Sequence, residues 1–338
     1  MRDQRIDILR FIGLAMIILA HVKPPSLLFQ IRNFDVPLMI LVSGMSFGLS
    51  YKSDDSYFSY VWKRVKRLVF PVWIFLTIYF VSLALVNPNS PELTTNMIIG
   101  SFLLIKGIGY VWIIKVFLLV ALVSPWVYKL SKNVKSNKKF YFSIGILFIL
   151  WEIIRYITLP LMDSDLAQLI SIITHYIIPF TLVFSLGLRS LKCNEIQCKI
   201  ISFVSLGAYI LMGAGLFIIY GEYISTQKFK YPPSIYYFSY AFFVSFFLWK
   251  YSPYLLHIFE KIGLTKVFLF IAKNTIWVYL WHIPLVKMVD LNFYLKYLIV
   301  FFGSVAITYI QILCLNFLLL RRISNKKVIK NIQMVLTG

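Results

Sequence analysis

Arg10 and His21 bracket the first apolar run of the chain, RFIGLAMIILAH. An imidazole exchanges its proton near neutral pH, so it can act as a general base or carry a group covalently. A guanidinium is permanently charged and grips phosphates and carboxylates through paired donors. Eleven positions apart in the sequence, the two return to within about 20° of each other on a helix and lie ~16 Å apart along its axis. Both side chains therefore share one stripe. An ionisable group at membrane depth costs on the order of 3 kcal/mol or more unless it faces protein or a wet cavity, so that stripe is expected to face a bundle interior. The plainer alternative makes Arg10 a snorkelling interfacial residue and His21 a loop residue that follows the span.

A second basic group stands in KRVKR at 63–67. Arg64 and Arg67 are three apart and share a helix face, which suits a phosphate-rich cytosolic ligand; the simpler reading is a stop signal at the membrane edge. In DVPLMILVSGMSFG (35–48), Asp35 is placed to cap a helix with Pro37 in its first turn. Gly44 and Gly48 have the spacing of a close helix contact, and Ser43 and Ser46 belong to that packing face rather than to chemistry. Glu152 and Arg155 are expected to pair with each other. Lys115, Lys273 and Asn274 are candidates to line one interior cavity, and His282 falls near the outer end of its span in NTIWVYLWHIPLV. His175 and His257 stand in no pattern that suggests a site. No H-x-x-x-H, C-x-x-C or carboxylate cluster supports a metal, and GIG at 107–109 lacks the strand–turn–helix setting of a nucleotide fingerprint. Cys193, Cys198 and Cys314 form neither a disulfide framework nor a zinc pattern and are read as structural thiols.

The elements that must position these groups are membrane helices. The 338-residue chain is 60% hydrophobic and 14% charged, whereas a soluble domain is about half apolar and about a quarter charged. Its net charge of +21 is no nucleic-acid footprint, because the cations sit between long apolar runs rather than on one water-facing surface. Runs near the bilayer-spanning length fall at 7–23, 34–51, 68–86, 110–130, 140–159, 169–188, 200–220, 234–250, 267–289 and 297–320. The fold expected is an all-α polytopic membrane protein of about ten transmembrane helices, one domain over 1–338 with a basic tail from about 321. The stretch 97–106 is too short to cross and is expected as a half-helix or re-entrant piece packed on protein. The first run lacks a small-x-small cleavage site and reads as a retained helix. Connections alternate in charge: Lys52 with 63–67, 129–139, 189–199, 250–266 and 321–330 are basic, while 87–96 and 161–168 hold almost no cations. The positive-inside rule puts the basic set and both termini in the cytoplasm.

With these residues in view, the chain resembles the acyltransferase-3 family of integral membrane O-acyltransferases, whose members move acyl groups, most often acetyl, onto sugars of cell-surface glycans. The likeness rests on Asp7 and Arg10 leading into the Arg-x10-His pattern, on PLMILVSGMSFG, and on Arg64-x-x-Arg67 followed by Pro71; YPPSIYY (231–237) and NTIWVYLWHIPLV are softer matches. It implies that His21 is catalytic, that Arg10 is its helix partner, and that Arg64 and Arg67 handle the acyl donor. It also implies acetyl-CoA or another acyl-CoA as co-substrate with no permanently bound cofactor, and a surface glycan or lipid-linked sugar as acceptor. The setting implied is a bacterial plasma membrane, with the bilayer and not nucleic acid as partner. Before the fourth long span the family usually carries a His/Leu-Trp-Phe-like motif; here Tyr110-Val111-Trp112-Ile113 keeps the tryptophan but not a histidine. A rival from another class is a transporter or flippase exporting glycan intermediates, although the repeated halves and broken helices of transporters are not evident. A membrane scaffold without chemistry leaves Arg10 and His21 unexplained.

Overall fold

The computed structural model describes residues 3–51, 56–105, 107–160 and 170–337; Lys52 and the stretch 161–168 named above lie outside the described residues. Among the described residues the structure is helical and without strands, as a chain in hydrocarbon must be when it satisfies its backbone locally. The helices are α1 (Gln4–His21), α2 (Ser26–Ile31), α3 (Asp35–Ser50), α4 (Tyr57–Val86), α5 (Thr95–Phe102), α6 (Trp112–Asn133) and α7 (Asn137–Thr158). After a π-helical turn at Ile172–Ile177 come α8 (Ile178–Ser190), α9 (Glu195–Tyr220), α10 (Ile235–Lys261), α11 (Thr265–Lys273), α12 (Thr275–Met288), α13 (Phe293–Cys314) and α14 (Lys326–Leu336).

Among the described residues, seven helical stretches are long and apolar enough to cross a membrane, and α11 with α12 makes an eighth if that bent pair is one span. The chain is thus a helical, multi-pass membrane protein. Two of the ten runs read in the sequence fall outside that set. One is α1, which carries Arg5, Asp7 and Arg10; the other is α10, rich in Tyr and Ser. The eight-residue α5 is the half-helix expected near 97–106, tied to α4 by the Trp73 indole donating to the Phe102 carbonyl at 2.8 Å.

The chain divides into two compact units. One comprises Met1–Ile17, Pro25–Ser53 and Leu122–Lys266. Within it α3 and α8 pack closely, and so do α9 and α10. A Cβ on Gly44 would collide with the Phe184 carbonyl and one on Gly187 with the Leu41 carbonyl, whereas one on Gly48 would meet Leu191 and Leu188 at ordinary van der Waals distance. Both glycines of G-x-x-x-G thus face α8, and the closest approach is between Gly44 and Gly187. Asp35 opens α3 but is not its cap: the capping position is Phe34, and the Asp35 carboxylate accepts from Val36 N–H at 2.8 Å, Arg32 at 2.8 Å and Lys230 at 3.1 Å. All three of these charged side chains are buried. Burial pushes the Lys230 ammonium down to about 8, against the upward pull of Asp35. Glu152 and Arg155 pair as expected, and the second Glu152 oxygen accepts from Ile235 N–H at 3.0 Å, capping the start of α10.

The other unit comprises Ile18–Pro24, Asp54–Ala121 and Val267–Gly338. Here α12 packs on α13, and α14 packs on α4. The basic tail is thus a docked helix. Lys66 donates to Asn331 at 3.0 Å, the Trp277 indole to the Val335 carbonyl at 3.0 Å, and Gln311 to the Leu336 carbonyl at 2.8 Å. Between α11 and α12 the chain bends by 86° at Asn274, whose side-chain amide turns back to the Phe270 carbonyl at 2.7 Å. That local bond competes with helix continuation. Lys273 is exposed beside the bend while Asn274 is buried, so Lys273 does not line an interior cavity.

Replacing Gly187 with valine should destabilise the protein by about 1–3 kcal/mol or block folding, because a buried backbone must move. Gly207→Ala, where nothing lies within 4 Å, should leave thermal unfolding in detergent unchanged or slightly raised. Equal unfolding temperatures for Gly187→Val and the parent would contradict the α3–α8 contact.

Candidate functional site

His21 is the last residue of α1. The helix stops there because Lys23 adopts a left-handed backbone, φ 56°, and Pro24 and Pro25 follow without N–H donors. Its ring is half-buried and meets a second histidine from the same unit: His21 Nδ1 lies 2.9 Å from His282 Nε2, with the rings 4.9 Å apart and tilted by 23°. His282, on α12, is wholly buried, and its Nδ1 is hydrogen-bonded to the Tyr279 backbone carbonyl.

That carbonyl can only accept, so His282 Nδ1 carries the proton. With both rings neutral, His282 Nε2 must then be the acceptor and His21 Nδ1 the donor. The proton of His21 is thereby placed on Nδ1 and its lone pair on Nε2. A base oriented by a second group that is itself oriented by a third is the arrangement of an activated acid–base site.

Two tyrosines frame the pair. The Tyr110 ring stands edge-on to His21 at 4.8 Å and to His282 at 5.8 Å. The Tyr279 hydroxyl donates to the Tyr110 carbonyl and so fixes the short 3₁₀ turn Gly109–Val111. An aromatic ring from this turn thus packs on His21.

Beside Tyr110 lies an ionic cluster. Lys287, on α12, donates to both Glu92 oxygens at 2.6 and 2.7 Å and to the Tyr79 hydroxyl at 2.8 Å. Tyr79 in turn donates to Glu92 at 2.6 Å. The ammonium stands 5.1 Å from the Tyr79 ring centre and 5.6 Å from that of Tyr110. Burial alone would raise the Glu92 carboxyl, but the hydrogen bonds from Lys287 and Tyr79 outweigh it and hold the group below the usual carboxylate range.

The other sequence candidates are placed as follows. Arg10 donates to Asp7 at 3.1 Å and to the Ser46 hydroxyl, which itself donates to the Val42 carbonyl at 2.7 Å. It belongs to the first unit and is held there against α3. The helical rise keeps it ~16 Å from His21, so the two do not act on one atom. Arg64 lies over the Tyr60 ring at 5.0 Å and Arg67 is exposed, three residues on along α4. Among the described residues no set of three or more His, Cys, Asp or Glu side chains gathers as metal ligands. Sequence reasoning did not pair His282 with His21; the available signal was an ionisable ring inside an apolar span.

The fold is that of an integral membrane protein, and paired imidazoles of this kind are chemically able to support acid–base or group-transfer steps. A family model described as an acyltransferase domain, that of the acyltransferase-3 family, matches residues 3–319. The chain belongs to that family and is a membrane acyltransferase. No curated protein and no solved structure matches it significantly.

The depressed Glu92 carboxyl has a consequence for pH. Its folded value lies below that of a free glutamate, about 4.3, so the cluster's stabilising contribution is complete above that value and is lost as pH falls through the lower, folded one. The difference in unfolding temperature between the parent and Glu92→Gln should be constant from neutrality to about pH 5 and shrink below about pH 4. A difference that grows on acidification would contradict the ion pair.

Proposed function

We propose that the protein is an O-acyltransferase that moves an acyl group, acetyl in the first instance, from cytosolic acyl-CoA to a sugar hydroxyl of a surface polysaccharide or its lipid-linked precursor. The observation that carries this reading is the His21–His282–Tyr279 relay inside a family of acyltransferases. The setting is a bacterial plasma membrane with both termini in the cytoplasm. The ten-span arrangement adds α1 and α10 to the eight apolar spans. His21 and the Glu92–Lys287 cluster then fall at the outer ends of their helices, and Arg64 and Arg67 at the cytosolic end of α4.

Acetyl-CoA arrives as an anion, and Arg64 with Arg67 would hold its phosphates through forked donors. The thioester arm extends into the bundle to His21. His21 Nε2 takes the proton of the sugar hydroxyl as the oxygen attacks the thioester carbonyl. The tetrahedral intermediate collapses, the C–S bond breaks, and the imidazolium returns its proton to the departing CoA thiolate, leaving ester and free CoA. His282 holds His21 in the reactive tautomer throughout, and its Nε2 accepts a hydrogen bond that stabilises the charge developing on His21. Arg10 is a positioning residue that keeps α1 against α3 through Ser46. The transporter alternative has no comparable support, since the family assignment is to acyl transfer.

His21→Ala should lower acyl transfer by about 10²–10⁴-fold, the usual share of general-base help, at equal abundance in the membrane. Ester content of the surface glycan, read by mass spectrometry in cells carrying either form, decides the matter. Full acetylation by the variant would remove His21 from the chemistry.

A further inference from the structure

The acyl-transfer reading leaves open how the acceptor arrives, and a cleft at the Gly109–Val111 turn, which carries Tyr110, bears on that question. It has a volume of about 460 Å³, within the size range of small-molecule sites, and its wall is largely apolar: Met97, Leu104, Ile108 and Trp112 contribute. Gly109 and Val111, the neighbours of Tyr110 on either side, both line it, and so does Thr94, two residues after Glu92. In the chain the cleft-lining residues thus begin two positions after the carboxylate of the ionic cluster and flank the residue whose ring abuts His21.

Two properties of this region are unlike those of a water-fed sugar site. The stretch that forms the cleft also turns Ile99, Leu103 and Ile105 outward, each more than half exposed. In a membrane-embedded chain such exposure faces acyl chains, so access to this region is from the bilayer. The polar side of the region is compact. Glu92 and Lys287 are each under a third exposed, and with Tyr79 they offer both acceptors and donors in one place. A carboxylate, an ammonium and tyrosine rings together are the groups that recognise a polyhydroxylated ring, hydrogen-bonding its edge and packing on its apolar face.

From this juxtaposition we infer that the Glu92–Lys287–Tyr79 cluster and the adjoining cleft form the acceptor subsite, and that the acceptor is a sugar carried on a membrane lipid. Sugar hydroxyls bond to Glu92 and Lys287, Tyr110 sets the ring beside His21, and the lipid chain lies along the cleft. This assignment rests on the acyl-transfer reading and narrows it from any surface glycan to one presented from within the bilayer.

The test uses the full-length protein in nanodiscs, acetyl-CoA, and one panel of hexoses in two forms, methyl glycosides and polyprenyl diphosphate glycosides. The parent should acylate the lipid-linked probes with kcat/KM at least about tenfold above the soluble ones. Glu92→Gln and Lys287→Gln should each raise KM for the lipid-linked probe at least about fivefold with a smaller change in kcat, and Met97→Glu should erase the advantage of the lipid form. The reversed pair, Glu92→Lys with Lys287→Glu, keeps an ion pair but exchanges donor and acceptor positions, so KM should stay high. Equal use of soluble and lipid-linked probes would overturn the proposal. Recovery of the parent KM in the reversed pair would do so too, by reducing the cluster to a structural latch. Should the parent acylate no probe, CoA release from acetyl-CoA separates the two failures. Release that requires His21 leaves acyl transfer standing and overturns only the acceptor assignment; no release overturns both.

Discussion

Inside apolar helices a histidine ring has two nitrogens to satisfy and little water to rely on. His282 meets that constraint with the Tyr279 carbonyl on one side and His21 on the other. The bonding leaves no choice of tautomer: one obligate acceptor at the end of the chain sets the proton on every ring atom before it. The consequence at the other end is a lone pair on His21 Nε2, which is what a base or a nucleophile needs. The sharp end of α1 at Lys23 and the bracing of Tyr110 by Tyr279 serve the same geometry, since both fix what surrounds the His21 ring.

The same demand for partners is met repeatedly in the first unit, and by a common device. Asp7 with Arg10, Arg32 with Asp35, and Glu152 with Arg155 are all ion pairs three residues apart in sequence. Spacing of that kind lets a helical turn bring its own counter-charge into the membrane region. Each pair is then extended by a contact to another element: Ser46 for Arg10, Lys230 for Asp35, and the start of α10 for Glu152. Removing one partner of a buried pair leaves an uncompensated charge and costs several kcal/mol. These networks therefore hold helices together even where they take no part in chemistry.

Much of this was legible in the sequence because the relevant signals are local. Apolar run lengths gave the helices, the i,i+3 spacing gave the Glu152–Arg155 pair, and the eight-residue α5 followed from a run too short to span. The Arg-x10-His spacing singled out His21, which the structure brings against His282. What stayed hidden depends on long-range contact. His282 comes from the far end of the chain, 261 positions after His21, and no periodicity announces that meeting. The Glu92–Lys287 pair joins a polar loop to a helix end in the same way. Lys273 misled because composition cannot show a bend: it was read as lining a cavity, and the 86° turn at Asn274 leaves it exposed. Asp35 likewise looked like a helix cap, and its larger role in a buried ion cluster needed Lys230 from a distant loop.

Coupling between the two histidines gives the most direct reading of the relay. Acyl transfer from acetyl-CoA would be measured for the parent, His21→Gln, His282→Gln and the double variant. If His282 acts by orienting His21, the double variant should be about as slow as His21→Gln alone, a strongly non-additive cycle typical of groups that act as one unit. Losses that simply multiply, or a His282→Gln form as fast as the parent, would contradict it.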